Sequence, residues 1–247
     1  MHQTERIKTI TEILRQNGFV TVKYLTEELH YSTATINRDL NAMQNMNIVK
    51  RSYGGAELIK NKGTPLVFRY QKMRPQKNLI GKKAAELIND GDTVFIDGAT
   101  TSQYIGKHIT SKKNLRVITN NLSLASFLSE HGIEVICLGG KIVEPPAIAH
   151  GYETIENARR YNYDKAFFSV ASFSDSGVFG GSEMYGMLMR VEMENSKKSF
   201  LVADHKKLNQ PSSYNVGTFS MLSGVISDYE FSEETKKRFP ETVFYKT

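Results

Sequence analysis

Small, hydroxyl-bearing and charged residues follow several apolar runs in the C-terminal part of this 247-residue chain. The first group, DGATT, spans residues 97–101 and follows the apolar run TVFI. Hydroxyl groups and backbone N–H groups that converge where a helix begins form an anion site suited to a phosphate. The alternative is ordinary turn and capping chemistry, because threonine often caps helices without binding any ligand.

Three further groups of this kind follow later apolar runs: TNN at 119–121, GGK at 139–141 and DHKK at 204–207. In open α/β sheets, ligands bind beyond the carboxyl ends of the strands. We therefore expect the four groups to share one edge of a sheet, which favours a ligand site over simple capping.

A second candidate surface lies near the N-terminus, in the stretch YSTATINRDLNAMQN at residues 31–45. Helical periodicity places Ile36, Leu40 and Met43 on one buried stripe. The N-cap position, the opposite face and its flanks carry Ser32, Thr33, Ala34, Thr35, Asn37, Arg38 and Asn41. Asn and Arg pair with adenine and guanine, and Ala and Thr contact a thymine methyl or a phosphate, so this face predicts reading of the DNA major groove. The alternative is a helix packed against the rest of the protein.

The preceding residues predict how this helix is presented. Helical spacing over residues 5–16 ends at Asn17 and Gly18, a favourable helix stop. Thr21 is placed to cap a second helix over 22–29, whose apolar contacts are expected from Tyr24, Leu25 and Leu29. Two short helices joined by a tight turn predict a helix-turn-helix.

The stretch NIVKRSYGGAELI follows this helix and predicts a hairpin that turns at Gly54 and Gly55. A basic hairpin in this position is the wing of a winged helix. Lys50 and Arg51 are predicted to reach phosphates beside the groove.

The net charge of +6 supports a polyanionic partner for the N-terminal region. Residues 1–76 hold 12 Lys and Arg against 6 Asp and Glu, whereas the remainder holds 20 against 20. Accidental surface charge is the alternative. Of all residues, 40% are hydrophobic and 23% are charged, a balance typical of a folded globular protein.

The sequence predicts a cytoplasmic protein. No apolar run is long enough to span a membrane, and the N-terminus lacks the apolar core of a signal peptide. The only cysteine, Cys137, lies in the apolar run VICL and is expected to be a buried core residue. The six histidines are scattered without metal-ligand spacing, so no metal and no cofactor is expected.

Helical segments alternate with short β-rich runs from about residue 79 onward. This pattern predicts an α/β domain with a mostly parallel sheet. A basic segment without acids, interrupted by prolines and a glycine, precedes it. We therefore expect a winged helix-turn-helix domain at 1–58, a linker at 59–76 and an α/β domain at 77–247.

An enzyme is the main alternative to a DNA-binding regulator. A sugar isomerase needs a carboxylate base, for which Asp97, Glu183 and Asp204 are candidates by residue type. No Walker loop, dinucleotide fingerprint or zinc-protease motif occurs. A metabolic isomerase does not need a winged helix, so a regulator is favoured over an isomerase-like enzyme that carries a DNA-binding domain.

The N-terminal motifs resemble those of the DeoR family of bacterial transcriptional regulators. The resemblance rests on GFVTV, YSTATINRDL and KRSYGGA within residues 5–58. The family usually has arginine where Asn37 stands and histidine where Tyr53 stands. Tyr53 lies with Asn37 on the expected DNA surface, so the operator sequence is not transferable from relatives.

The resemblance extends over the second domain through DGATT, ITNNL, LGG, YDKAFF and ADHKK. It implies an effector domain related in fold to ribose-5-phosphate isomerase that senses phosphorylated sugars. By position, the resemblance implies a phosphate loop of Asp97, Ala99, Thr100 and Thr101. It implies a sugar side lined by Asn120, Gly139, Gly140, Asp164, Lys165 and Lys206.

One departure concerns the stretch MLMR at 187–190, where the family often reads EVKR. Methionines then replace charged residues, leaving Arg190. Either this helix faces a less polar pocket, or it simply packs on the sheet.

The resemblance implies a repressor of carbohydrate-metabolism genes that binds double-stranded operator DNA. A phosphorylated sugar or related metabolite is expected to release it. A homo-oligomer, dimer or tetramer, is expected to place helices in successive major grooves.

Overall fold

A computed structural model describes residues 3–46, 48–52, 54–59, 72–143, 148–175, 177–212 and 214–247. The chain divides into two compact units, residues 1–69 and 70–247. Residues 60–71 of the predicted linker lie outside the described residues, so the domain boundaries at 58 and 76 stay predictions. The helix α4 (Arg74–Glu86) begins inside the segment predicted as linker, because Pro75 is well tolerated in a first helical turn.

The N-terminal unit is a helix-turn-helix followed by a wing. Its elements are α1 (Gln3–Asn17), β1 (Phe19–Thr21), α2 (Val22–Leu29), α3 (Thr33–Asn45), β2 (Val49–Ser52) and β3 (Gly55–Leu58). The three strands form an antiparallel sheet in the order β1-β3-β2. The predicted winged helix-turn-helix is therefore confirmed.

The capping and packing of the short helices follow from the sequence. Tyr24 N donates to the hydroxyl of Thr21, the predicted cap of α2. The stripe Ile36, Leu40 and Met43 is fully buried and packs with residues of α1 and β2. Tyr24 itself is 41% exposed, so its expected core contact is wrong, and Val22 packs in the core instead.

The larger unit is built from alternating strands and helices. Its central strands are β4 (Thr93–Ile96), β5 (Arg116–Thr119), β6 (Glu134–Cys137), β9 (Tyr163–Phe168), β12 (Ser196–Val202), β14 (Gly224–Ser227) and β15 (Val243–Lys246). After α4, its helices are α5 (Leu122–Glu130), α6 (Tyr152–Ala158), α7 (Glu183–Glu194) and α8 (Glu233–Arg238). Short 3-10 helices occur at Ser102–His108, His205–Lys207 and Phe219–Met221.

Two small antiparallel sheets, which the sequence did not predict, accompany the central one. They are formed by β7 (Lys141–Val143) with β8 (Ile148–His150), and by β10 (Ser172–Ser174), β11 (Gly177–Gly180) and β13 (Tyr214–Gly217).

The central sheet has seven strands in the order β15-β14-β12-β9-β4-β5-β6. Every neighbouring pair is parallel, which confirms the predicted α/β fold. From β4 the chain proceeds outward through β5 and β6, and from β9 it proceeds outward through β12, β14 and β15. The junction of β4 and β9 is therefore the topological switch point, where open α/β sheets bind ligands.

Helices cover both faces of this sheet. Val94 and Ile96 pack in a core with residues of α4 and α5, whereas Phe95 packs with residues of α6 and α7. Successive strand residues point to opposite faces, so the three buried residues of β4, Val94 to Ile96, are all apolar. The edge strand β6 is less covered, and Cys137 at its end is exposed, so the expectation of a buried cysteine is wrong.

Candidate functional site

The predicted DNA-contacting face of α3 is open to solvent. Ser32 caps the helix, since Thr35 N donates to its hydroxyl at 3.2 Å. The side chains of Thr33, Ala34, Arg38 and Asn41 are exposed. Within the described residues, the Arg38 side chain makes no hydrogen bond or ion pair, so its five donors are available to a partner.

The wing residue Arg51 lies against α3. Its Nη1 donates to Asn41 Oδ1 and its Nη2 donates to Asn37 Oδ1, each at 2.5 Å. Asn37 Nδ2 donates in turn to the carbonyl of Thr33 at 2.9 Å. The prediction that Arg51 extends to phosphate does not fit this geometry, because the guanidinium is engaged by two amides of the helix.

The neighbouring wing residue Lys50 is free to contact a phosphate, as the sequence predicted. Its side chain is exposed and, in the part of the chain that the structure describes, unpaired. Adjacent residues of a strand point to opposite faces, so Lys50 and Arg51 have different surroundings. Tyr53, also predicted at this surface, lies outside the described residues.

Helix α3 is held in place by a partly buried ion pair that the sequence did not predict. Asp39 is fully buried and accepts hydrogen bonds from Arg6 Nε at 2.7 Å and from Gln3 Nε2 at 3.0 Å. Arg6 also lies 4.9 Å from the centre of the Tyr31 ring. Asp39 therefore connects α3 to α1.

Asp97 occupies the topological switch point of the larger unit. It follows β4 directly, and its carboxylate accepts Ala99 N at 3.1 Å and Ser169 N, which follows β9, at 3.0 Å. Burial raises the pKa of Asp97 to about 6, although these backbone hydrogen bonds oppose the shift. Asp97 thus ties the loop that begins at Ala99 to the end of β9.

Lys77 is the site residue that the sequence analysis missed. It lies on α4, is 4% exposed, and its Nζ donates to Thr100 Oγ1 at 2.9 Å. The interaction brings a buried positive charge to the predicted phosphate loop. Helical spacing could have predicted its burial, since Lys77 shares the buried stripe of α4 with Ile80, Gly81 and Ala84.

The predicted helix opening after Thr101 is a 3-10 helix, Ser102–His108, and Thr101 makes no capping hydrogen bond there. Instead, Thr100 and Thr101 are both buried in the loop. Asp97 and Lys77 therefore contact this loop, which leads into a 3-10 helix.

Asn120 follows β5 at the same sheet edge. It is buried, and its Nδ2 donates to the carbonyl of Ala149 at 3.0 Å. Its Oδ1 is buried and has no partner among the described residues. A methyl group on Gly98 would lie 3.2 Å from this oxygen and 2.7 Å from Ile148 Cγ2, so only glycine fits beside it.

Gly139 and Gly140 follow β6 at this edge and are exposed. Gly140 has a φ of +138°, and a side chain there would collide with Thr154 Oγ1. Lys206 follows β12, is exposed, and donates its backbone N–H to Asp204 Oδ1 at 3.1 Å. The carboxyl edge of the sheet therefore collects Asp97, Asn120, Gly139 and Asp204.

Asp164 and Lys165 lie at the other end of the strands, where β9 begins. Asp164 Oδ2 accepts Thr93 N at 2.8 Å, and Lys165 is ion-paired with Asp92, both at the start of β4. Strands β4 and β9 are parallel, so their beginnings lie together, away from Asp97. The prediction that Asp164 and Lys165 line the sugar side is wrong, because both residues begin β9 rather than end it.

Helix α7 packs on the sheet. Leu188 and Met189 are buried in two hydrophobic clusters, and Met187 is half-buried against one of them. Arg190 is exposed, and its Nη2 lies 3.4 Å from the carbonyl of Asn215. Of the two alternatives for this segment, simple packing fits the structure.

The same helix carries a buried carboxyl group that the sequence analysis overlooked. Glu192 is fully buried, and neither of its carboxyl oxygens has a hydrogen-bond partner among the described residues. Burial, and secondarily the charge of Asp97, raises the pKa of Glu192 well above its usual range. Its position four residues after Leu188, on the apolar face of the helix, could have predicted its burial.

Two further features bear on the class of protein. Within the described ranges, no helix is long and apolar enough to cross a membrane. In the same part of the chain, no three His, Cys, Asp or Glu side chains are grouped so as to hold a metal ion.

Comparison with known proteins identifies the two units. The DeoR-like helix-turn-helix domain matches residues 6–62, and the DeoR C terminal sensor domain matches residues 72–229. The HTH-type transcriptional repressor GlcR of Bacillus subtilis (strain 168) is 34% identical over 92% of this chain and 89% of its own length. The glycerol-3-phosphate regulon repressor of Escherichia coli (strain K12) is 31% identical over 92% of each chain.

Among solved structures, ribose 5 phosphate isomerase A from Neisseria gonorrhoeae is similar to this chain with a TM-score of 0.40. It is 13% identical, and the alignment covers 53% of this chain and 52% of the isomerase. The matches of both domains and of full-length relatives show that this chain belongs to the DeoR family of transcriptional regulators.

Proposed function

We propose that this regulator is a repressor whose sensor unit binds a phosphorylated sugar or a related phosphorylated metabolite, and that binding releases operator DNA. The observation that carries the proposal is the buried Lys77 ammonium on Thr100 at the switch point. An ammonium group beside the threonine hydroxyls of this loop can donate charge-assisted hydrogen bonds to a compact anion such as a phosphate.

The surrounding groups suit the remainder of such a ligand. Asn120 Oδ1 is a buried acceptor without a partner in the described chain, and a ligand hydroxyl would satisfy it. We infer that the phosphate lies near Lys77, Thr100 and Thr101, and that the hydroxyl-bearing carbons lie toward Asn120.

The relatives support the same ligand class, since one of them is named for a glycerol-3-phosphate regulon. For DNA, we propose that the exposed face of α3 enters the major groove while Lys50 contacts phosphate. A homo-oligomer would place two such helices on a repeated or inverted operator. Ligand and operator affinities are then coupled, because the ligand favours one arrangement of the oligomer.

An isomerase-like activity is the second candidate. The pKa of Asp97, raised to about 6, would suit a general base. Both Asp97 oxygens, however, accept backbone N–H groups of Ala99 and Ser169. This arrangement favours a structural role in the loop, and we therefore prefer a sensor without catalysis.

The test uses the full chain and two readouts. Thermal unfolding is measured with glucose 6-phosphate, fructose 6-phosphate and glycerol 3-phosphate, each against its unphosphorylated form, and operator DNA obtained by binding-site selection is titrated with and without each compound. We expect one phosphorylated compound to raise the midpoint and weaken DNA binding, since a ligand of the folded state stabilises it. Stabilisation by free sugars alone, or by none of these compounds, would contradict the proposed ligand class.

A further inference from the structure

We propose that Arg51 is a positioning residue that sets the base preference of α3 by holding the side-chain amides of Asn37 and Asn41 in one orientation. The inference rests on the proposal that α3 reads the major groove. It assigns Arg51 a different role from Lys50, its neighbour on the wing.

The geometry of the three side chains carries this inference. Asn37 and Asn41 are four residues apart, so they are neighbours on the same face of α3. The two terminal nitrogens of Arg51 donate to their two amide oxygens, each at 2.5 Å. A planar guanidinium matches two acceptors at once, which a lysine ammonium on the same strand does not.

The guanidinium also decides which end of each amide faces outward. A guanidinium has only donors, so the oxygen of each side chain, and not the nitrogen, must face Arg51. In Asn37 the nitrogen donates to the carbonyl of Thr33, so both ends of its amide are occupied. In Asn41 the nitrogen has no partner among the described residues, and the side chain is exposed.

This orientation changes what α3 offers to a base. A free asparagine reads adenine with both ends of its amide, donating to N7 and accepting from N6. Asn41 held by Arg51 presents mainly its N–H donors, which suit base edges rich in acceptors, such as O6 and N7 of guanine. We infer that Arg51 shifts the preference at the base pairs facing Asn41 from adenine toward guanine.

The test compares the full chain with Arg51→Met, Arg51→Lys and Lys50→Met. Arg51→Met and Lys50→Met remove the same charge from adjacent wing positions, and Arg51→Lys keeps the charge but loses the planar fork. Base preference is measured by binding-site selection, and affinity by fluorescence anisotropy over a series of salt concentrations. Hydrogen exchange of α3 checks that each variant remains folded.

We expect both Arg51 variants to shift the preference toward adenine by about tenfold at the positions facing Asn41, with the salt dependence of Arg51→Lys unchanged. Lys50→Met should keep the base preference and lower the slope of log affinity against log salt by about one. An unchanged preference in both Arg51 variants, with a lowered slope in Arg51→Met alone, would assign Arg51 to a phosphate and overturn the inference. If the unaltered chain selects no sequence, the proposed DNA recognition itself fails, which is a separate outcome.

Discussion

Lys77 Nζ lies 2.9 Å from Thr100 Oγ1, which joins the start of α4 to the loop after β4 across 23 residues of sequence. Both side chains are buried. The hydrogen bond places a positive charge at the switch point of the parallel sheet, where a ligand of this fold is expected. A residue of α4, outside the predicted phosphate loop, is therefore hydrogen-bonded to that loop.

Replacing Lys77 by methionine should abolish the response to the phosphorylated effector. The substitution keeps the apolar stem and removes the ammonium, so the phosphate loses its charge-assisted partner. The thermal shift with the effector should fall below detection, while operator binding without effector stays normal. Lys82→Met, which removes an exposed charge from the same helix, is the control. A normal thermal shift in Lys77→Met would place the phosphate elsewhere.

Gly81→Ala should destabilise the sensor unit, although alanine usually stabilises a helix by about 1 kcal/mol relative to glycine. A Cβ at Gly81 would lie 2.7 Å from the backbone carbonyl carbon of Tyr104, which has little freedom to move. We expect a loss of about 1–3 kcal/mol in the free energy of unfolding, measured with urea. Gly139→Ala, where the nearest atom is 3.9 Å away, should cause no loss. A stabilised Gly81→Ala would mean that α4 is not in close contact there.

Asp39→Asn should loosen the attachment of α3 to α1. The substitution leaves the partly buried Arg6 without its charged partner, which costs about 2–3 kcal/mol. Hydrogen exchange of the α1 amides should then accelerate by about a hundredfold. The exposed pair of Lys23 and Glu27 provides the control, because Glu27→Gln should change little. Equal exchange rates in the two variants would contradict a structural role for Asp39.

The sensor unit should become less stable as the pH rises from about 4 to 7. The folded-state pKa of Asp97 is about 6, above its usual 3.8, so the folded state keeps a proton that the unfolded chain has released. This group alone removes about 2 kcal/mol of stability over that interval. The raised pKa of Glu192 acts in the same direction. Urea unfolding at a series of pH values measures the slope.

Glu192→Met tests how much Glu192 contributes to this dependence of stability on pH. Methionine is similar in size and has no charge to desolvate, so we expect a gain of about 1–3 kcal/mol at pH 7.5 and a shallower dependence on pH. Glu194→Met, which alters an exposed carboxylate of the same helix, should leave the slope unchanged. A slope as steep in Glu192→Met as in the unaltered chain would show that Glu192 titrates normally.

Local patterns in the sequence were sufficient to predict the helix-turn-helix, the central parallel sheet and the class of protein. The stripe Ile36, Leu40 and Met43 identified α3 because helical periodicity depends only on neighbouring residues. Ser32 and Thr21 marked helix starts for the same reason. Alternating strands and helices predicted a parallel sheet, whose carboxyl edge collects Asp97 and Asn120.

The tertiary structure decided which of the polar side chains meet. Asp164 and Lys165 belong to the motif YDKAFF, but the direction of β9 places them where the strand begins, away from Asp97. There they pair with the start of β4 and with β12. Lys77 reaches Thr100, and Arg51 reaches Asn37, only because elements distant in sequence pack together. Periodicity reports whether a residue is buried, whereas its partner depends on strand order and helix packing, which no local pattern contains.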